Sequence, residues 1–394
     1  MTHSPALQKV PPTVVSLADH EQHARQQLDD NAWAYFSGGA ADEITLRANR
    51  SAWDALTLWP RVLRPLAGGH TRVSLLGRTL AHPILLAPIA FQRMAHPDGE
   101  LATAYAAAAL GAGLVLSTQA SVPLEPIAQA VLSDPGRGPL WFQLYLQHDR
   151  GFTQALVQRA EAAGYEALVL TVDAPTSGVR DRERRAQFRL PPGIGPVNLT
   201  GLQPAPTQQL QPGQSALFDG LLHQAPTWDD IAWLRSITRL PVLLKGVLHP
   251  ADATQAVAAG AAGVIVSNHG GRTLDTVPST AVALPRVAQA VAGAVPVLVD
   301  GGIRANLPVD IMRQMGAQRV IAVNLGYTGT PQPQVDNALE ISMQALNIMM
   351  YQINRTSIES ADVVIDPVIV NHGLTDFNKM DYLVECGYKA AREA

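Results

Sequence analysis

The chain has 394 residues, 47% of them hydrophobic, enough to bury a large core and suited to one large α/β barrel or two ordinary domains. A net charge of −4 and a pI near 6.2 supply no broad basic field, so the sequence predicts no nucleic-acid partner and no charge-driven binding to an anionic membrane. Cys386 is the single cysteine, which excludes an internal disulfide framework. The stretch from Met1 to Asp19 lacks a basic-then-apolar leader, and no window approaches the roughly 18 apolar residues of a membrane span; a cytoplasmic protein without an intrinsic span is expected.

Residues 1–80 precede the first strongly apolar run and are expected to form a helical cover over the base and one flank of the strand-rich region after them. From there, short runs rich in Val, Ile and Leu alternate with Ala-rich helical stretches, the pattern of buried parallel strands joined by helices. Eight runs are present: Ile84–Ile89, Leu114–Thr118, Leu140–Leu146, Ala167–Asp173, Pro241–Val247, Gly263–His269, Val295–Gly301 and Arg319–Leu325. They predict an α/β fold of the (β/α)8 TIM-barrel type, with strands 1–7 in residues 81–304. Between the fourth and fifth runs, residues 174–227 are rich in Pro, Gln and Gly and too long for an ordinary connection. A lid with an irregular excursion is expected there.

The composition changes after Arg304, where six of the eight Met and seven of the eleven Asn lie. Residues 305–394 are therefore expected to be an atypical C-terminal segment, with Arg319–Leu325 as a possible eighth strand and a helical pattern over Asn337–Ile353.

Polar residues gather at the C-terminal ends of the runs: Gln143 and Tyr145, Thr171 and Asp173, Lys245, Asn268 and His269, and Asp300. In a barrel, that end carries the chemistry. A histidine can take a proton in one half-reaction and return it in the next, which suits His269 to the work of a base. Asp173 is suited either to steadying the imidazolium or to capping the following helix. Arg180 and Arg272 offer planar forks that pair both oxygens of a carboxylate, although Arg180 sits in a run of charges that also suits surface ion pairing. Lys245 brings a fixed positive charge into the barrel mouth, and Asp300-Gly301-Gly302, followed by Arg304, allows close backbone approach to a phosphate.

Over about Val15 to Arg304 the sequence resembles the FMN-dependent 2-hydroxy acid oxidases and dehydrogenases, the family of glycolate oxidase, lactate oxidase and mandelate dehydrogenase. The resemblance is carried by Tyr35-Phe36-Ser37-Gly38-Gly39-Ala40, Ala87-Pro88-Ile89-Ala90, Met94 to Glu100, Phe142-Gln143-Leu144-Tyr145, Leu170-Thr171-Val172-Asp173, Lys245-Gly246-Val247, Ser267 to Arg272 and Asp300 to Arg304. It implies oxidation of a small L-2-hydroxy acid to the 2-keto acid by FMN, in a homotetramer; the electron acceptor, oxygen or a quinone, is left open. It further implies substrate contacts from Tyr35, Tyr145, Arg180 and Arg272, with His269 as base and Asp173 orienting it. Flavin contacts are implied for Pro88, Ile89, Ala90, Ser117, Gln143, Thr171, Lys245, Ser267, Asp300, Gly302 and Arg304.

There are two departures. Gln119 stands where several family members have Trp, so the substrate side chain is left open. After Arg304, the family's eighth strand and second phosphate arginine are replaced by Val320 to Leu325, and residues from about 300 onward resemble the C-terminal part of patatin-like phospholipases. In that family the Asp of Asp-Gly-Gly pairs with a nucleophilic serine held in Gly-x-Ser-x-Gly. No such elbow exists here, since Gly213-Gln214-Ser215 continues as Ala216-Leu217. An acyl hydrolase and a hybrid with an impaired flavin site are thus the alternatives to the oxidation reading.

Overall fold

The computed structural model describes residues 16–300 apart from 59–61, 66, 206–212, 218–221 and 223–224, together with strand segments 321–323 and 363–365. Gly302, Arg304 and the helical pattern expected over Asn337–Ile353 lie outside the described residues.

Three helices open the chain: α1 (Leu17–Gln27), α2 (Asp30–Ser37) and α3 (Ile44–Asp54). Ser16 and Asp19 form a reciprocal capping box on α1, and the Asp29 carboxylate accepts from Ala32 N at the start of α2, so each helix has a first-turn amide satisfied by its cap. Two short strands come next, β1 (Val73–Leu75) and β2 (Arg78–Leu80), within the region expected to be helical cover.

The alternation of strands and helices then begins. In chain order it runs β3 (Leu85–Leu86), α4 (Glu100–Ala109), β4 (Gly113–Leu116), α5 (Leu124–Val131), β5 (Leu140–Leu144), α6 (Arg150–Ala163) and β6 (Ala167–Thr171). The long connection carries α7 (Asp181–Arg185), and the series resumes with α8 (Trp228–Ser236), β7 (Val242–Lys245), α9 (Pro250–Ala258), β8 (Gly263–Val266), α10 (Thr280–Val291) and β9 (Val297–Val299). Strands β3 to β9 form one seven-stranded, wholly parallel sheet in sequential order. Strictly sequential parallel strands with intervening helices are the architecture of a TIM-type α/β barrel.

The run expected to be the eighth strand behaves differently. Its residues Ile321–Val323 form β10, which pairs in parallel with β11 (Val363–Ile365) in a separate two-stranded sheet. Ile321, Ala322 and Val323 are in register with Val363, Val364 and Ile365, and β10 and β11 belong to a second compact unit.

Strand parity builds both the core and the site. Successive side chains point to opposite faces of a strand. Leu114, Leu116, Phe142, Leu144, Leu168, Leu170, Val242, Leu244, Val264 and Val266 face the helices and form the larger apolar cluster. Val115, Trp141, Ala167, Val169, Leu243 and Ile265 form a second, inner cluster. Two residues further along the inner face, the side chains turn polar: Ser117, Gln143, Thr171, Lys245 and Ser267. The same step takes Leu298 to Asp300.

The N-terminal helices are stitched to the connection after β8. Asp275 accepts from Ile44 N and Thr45 N, capping α3 from outside. Asn49 and Asn268, both buried, exchange amide hydrogen bonds of 2.9 and 2.7 Å. Asn268 Oδ1 also accepts from Gly271 N, so this pair reaches the turn carrying His269. Asn49→Ala is expected to remove two hydrogen bonds from the buried Asn268 amide, leaving it Gly271 N and Pro278 O, and to cost about 1–3 kcal/mol, measurable as a lowered urea midpoint at unchanged slope.

Candidate active site

A cavity of about 1020 Å³ opens at the C-terminal ends of the parallel strands. Of the residues singled out in the sequence, Tyr35, Pro88, Ile89, Ala90, Ser117, Gln143, Tyr145, Thr171, Arg180, Lys245, His269, Arg272 and Asp300 line it. Asp173 and Ser267 stand behind that lining and hydrogen-bond to residues in it.

His269 is aimed by a left-handed turn. Its φ is 57°, and Gly270 and Gly271 come after it at 66° and 70°. Left-handed backbone is nearly free for glycine but strained for a side-chain-bearing residue, so the strain falls on the histidine alone. Nδ1 of His269 lies 2.9 Å from Asp173 Oδ1. A carboxylate can only accept, so Nδ1 carries a proton, and in the neutral imidazole it is Nε2, 3.3 Å from the Tyr145 hydroxyl, that keeps a lone pair. The other Asp173 oxygen is buried without a partner among the described residues, leaving the imidazole as the group that answers this carboxylate. Glycine is required at Gly246, which has φ 112° and where a Cβ would sit 2.4 Å from that of Asp173.

Burial pushes the Tyr145 hydroxyl well above its ordinary 10.0, and the negative charge of Asp173 adds to the shift. Burial likewise raises Tyr35, against the lowering influence of Arg272 and Arg180. Both phenols therefore remain protonated and can donate.

Along the cavity floor runs a polar arc supplied by adjacent strands. The Gln143 amide is fixed on three sides: Oε1 accepts from Ser117 Oγ and Thr118 N, and Nε2 donates to Thr171 Oγ1. Lys245 Nζ lies 2.6 Å from Asp300 Oδ2 and donates to Ser267 Oγ, which in turn donates to Asp300. Burial pushes Asp300 up, but the charge of Lys245 and the hydrogen bonds from Lys245 and Ser267 outweigh it and hold the carboxyl below its ordinary 3.8.

At the mouth, Arg180 and Arg272 share one carboxylate, and Arg272 lies beside an aromatic ring. Arg272 Nη1 donates to the backbone oxygens of Tyr35 and Gly38, and its guanidinium lies 5.0 Å from the Tyr35 ring. Phe188 stacks on Tyr35, ring centroids 4.9 Å apart. Burial and the nearby charge of Arg180 lower the pKa of Arg272, partly opposed by Tyr35 and Glu183. Glu183 Oε1 accepts from Arg180 at 3.1 Å and from Arg272 at 3.0 Å. Sequence reasoning did not single out Glu183 or Phe188. The i, i+3 spacing from Arg180 was the available signal for Glu183, whereas the Tyr35–Phe188 stack joins residues far apart in sequence and left none.

The residues fit a flavin. Hydrogen-bonding side chains on successive strand ends match the polar edge of a planar heterocycle, the buried Lys245 supplies a positive charge, and Pro88, Ile89 and Ala90 add backbone and apolar contact. The cavity is at the upper end of the roughly 300–1,000 Å³ of ligand sites, room for such a ring with a small acid beside it. No group of residues able to hold a metal ion occurs among the described residues. A Ser–Asp pair exists in Ser267 and Asp300, but Ser267 is fully buried and the carboxylate is held by Lys245, so this serine is not exposed as a nucleophile.

Barrel, polar arc and histidine–carboxylate pair together define the class as a two-electron oxidoreductase of the flavin-binding barrel type. Residues 24–365 match the FMN-dependent dehydrogenase family, and the chain belongs to that family. The match continues past Arg304, so it lends no support to a hydrolase reading of the C-terminal segment. An L-lactate oxidase from Roseobacter sp. (strain GAI101) is 50% identical over 307 residues, covering 78% of this chain and 81% of the relative. Glycolate oxidase 3 from Arabidopsis thaliana is 41% identical over 308 residues, 78% and 82% of the two chains. Among solved structures, a mandelate oxidase with benzoyl-formic acid superposes with a TM-score of 0.67 at 41% identity, covering 77% and 82% of the two chains. A mutant of mandelate oxidase with a C4a-OH-FMN adduct gives 0.66 at 39% identity, covering 76% and 82%.

The depressed Asp300 carboxyl has a consequence for stability. A group held below its unfolded value contributes stability above that value, and the contribution fades as pH falls through the folded value. The folded protein is expected to lose stability as pH drops below the ordinary 3.8, and Lys245→Met, which removes the main lowering charge, should shrink this contribution. Urea unfolding of both proteins as a function of pH measures the difference.

Proposed function

We propose that this protein oxidises a small L-2-hydroxy acid to the corresponding 2-keto acid, with His269 as the base. The observation that carries the reading is the His269–Asp173 pair, whose Nε2, beside the Tyr145 hydroxyl, shares one cavity with Arg180 and Arg272. FMN, when bound, supplies the two-electron acceptor. Arg180 and Arg272 take the substrate carboxylate, and Tyr145 and Tyr35 donate hydrogen bonds at the same end of the cavity. The hydroxyl or α-carbon proton passes to His269 Nε2, and the resulting imidazolium is steadied by Asp173 through Nδ1–H. Lys245 is read as the cation that balances negative charge developing on the cofactor, and Ser117, Gln143, Thr171, Ser267, Asp300 and the backbone at Pro88, Ile89 and Ala90 as the remaining flavin contacts within the described residues. Gly302 and Arg304 are read as phosphate contacts on the sequence motif alone.

L-Lactate is the first substrate to test, because three of the relatives are L-lactate oxidases at 43–50% identity. The names of the relatives also favour oxygen as electron acceptor. No helix among the described residues is long and apolar enough to cross a membrane, and the lone Cys386 suits a cytoplasmic setting; a homotetramer completes the reading by family resemblance.

His269→Gln is expected to keep the flavin and lose reduction by 2-hydroxy acids, as followed by visible absorbance under anaerobic conditions. Normal reduction rates in that variant would sink the assignment. Arg272→Lys keeps one charge but not the fork, and should weaken carboxylate binding by at most about 3 kcal/mol, read as a higher KM with the flavin content unchanged.

A further inference from the structure

The two arginines read as the substrate clamp already hold a carboxylate. Glu183 Oε1 bridges Arg180 Nη1 and Arg272 Nη2, and all three side chains are more than three-quarters buried, with 13% exposure left for Glu183. Arg272 is anchored independently, through two backbone oxygens. Arg180 is not, since Glu183 is its hydrogen-bond partner and its Nε is buried with no partner among the described residues. An unsatisfied buried donor marks an arrangement that a second acceptor would improve. Glu183 itself cannot travel far, because it sits on the single turn of α7, three residues after Arg180.

We infer that Glu183 is a built-in competitor for the clamp, a positioning residue that occupies both guanidinium groups in the free enzyme and weakens their hold on the acid. The inference rests on the reading of Arg180 and Arg272 as the carboxylate clamp. An arriving substrate carboxylate takes over part of the hydrogen bonding of Arg180 while Glu183 stays nearby on its short tether. Two anions then share two cations, and their mutual repulsion sets the affinity lower than an isolated arginine pair would give. The same repulsion acts on the 2-keto acid product, which keeps the carboxylate, and so favours its departure. A merely structural ion pair predicts the opposite sign, because its loss would disorder the clamp and weaken binding.

Calorimetric titration of the flavin-loaded protein with pyruvate, a 2-keto acid, separates the two. Glu183→Gln preserves size and an acceptor oxygen but removes the charge, and Glu183→Ala removes both. Both variants are expected to bind pyruvate roughly three- to tenfold more tightly than the unaltered protein at low ionic strength, with the gap narrowing as salt screens it. Unchanged or weaker binding in Glu183→Gln would overturn the proposal, as would failure of both variants to retain flavin, which would make Glu183 a structural partner. Absence of pyruvate binding in the unaltered protein would instead count against the carboxylate clamp itself.

Discussion

Everything at the active site depends on the two-residue period of a buried parallel strand. Because successive side chains point to opposite faces, fixing the apolar inner residue fixes where the next inward residue will appear, about two residues along and one layer higher. Val115, Trp141, Val169, Leu243 and Ile265 pack together inside the sheet, and Ser117, Gln143, Thr171, Lys245 and Ser267 succeed them on the same face. A one-residue slip in any strand would bury a polar group among helices and turn a core residue into the cavity, which is why register and chemistry are specified together.

A polar layer set on such a core must balance its own charges. Lys245, 5% exposed, meets Asp300, with Ser267 bonded to both. Asp173 meets His269, and the arginine pair meets Glu183. Each arrangement offsets the cost of removing an ion from water, and two of them still leave something to offer: an acceptor on His269 Nε2, beside the Tyr145 hydroxyl, and an unsatisfied donor on Arg180. The N-terminal helices contribute by fixing the turn that carries His269, through Asn49 and Asn268 and through Ala40 N, which donates to the carbonyl of Gly271. A fold that is rigid at its floor thus holds a mouth whose hydrogen bonding is incomplete.

The sequence made the barrel legible because the strands are short, apolar and regularly spaced, and seven of the eight expected runs contain strands of the one sheet. The polar ends of those runs were legible for the same reason, since strand direction turns a sequence position into a place on the catalytic face. What escaped notice depends on contacts between distant segments or on competing local roles. Glu183 reads as one more charge in an arginine-rich run until Arg272 is brought beside it, and Phe188 acquires meaning only when it stacks on Tyr35. The eighth run was legible as a strand but not in its pairing: Ile321–Val323 lies against Val363–Ile365, a parallel partner about forty residues later whose choice no local pattern announces.

The central claim is that the cavity oxidises the α-carbon of an acid held by its carboxylate, and anaerobic mixing of the flavin-loaded protein with L-lactate and with 2-deuterated L-lactate tests it most directly. The account predicts bleaching of the visible flavin band by both, slower with deuterium because the bond broken is at the α-carbon, and none with propionate, which keeps the carboxylate but lacks the hydroxyl. A flavin that stays oxidised with L-lactate, glycolate and mandelate alike would contradict it.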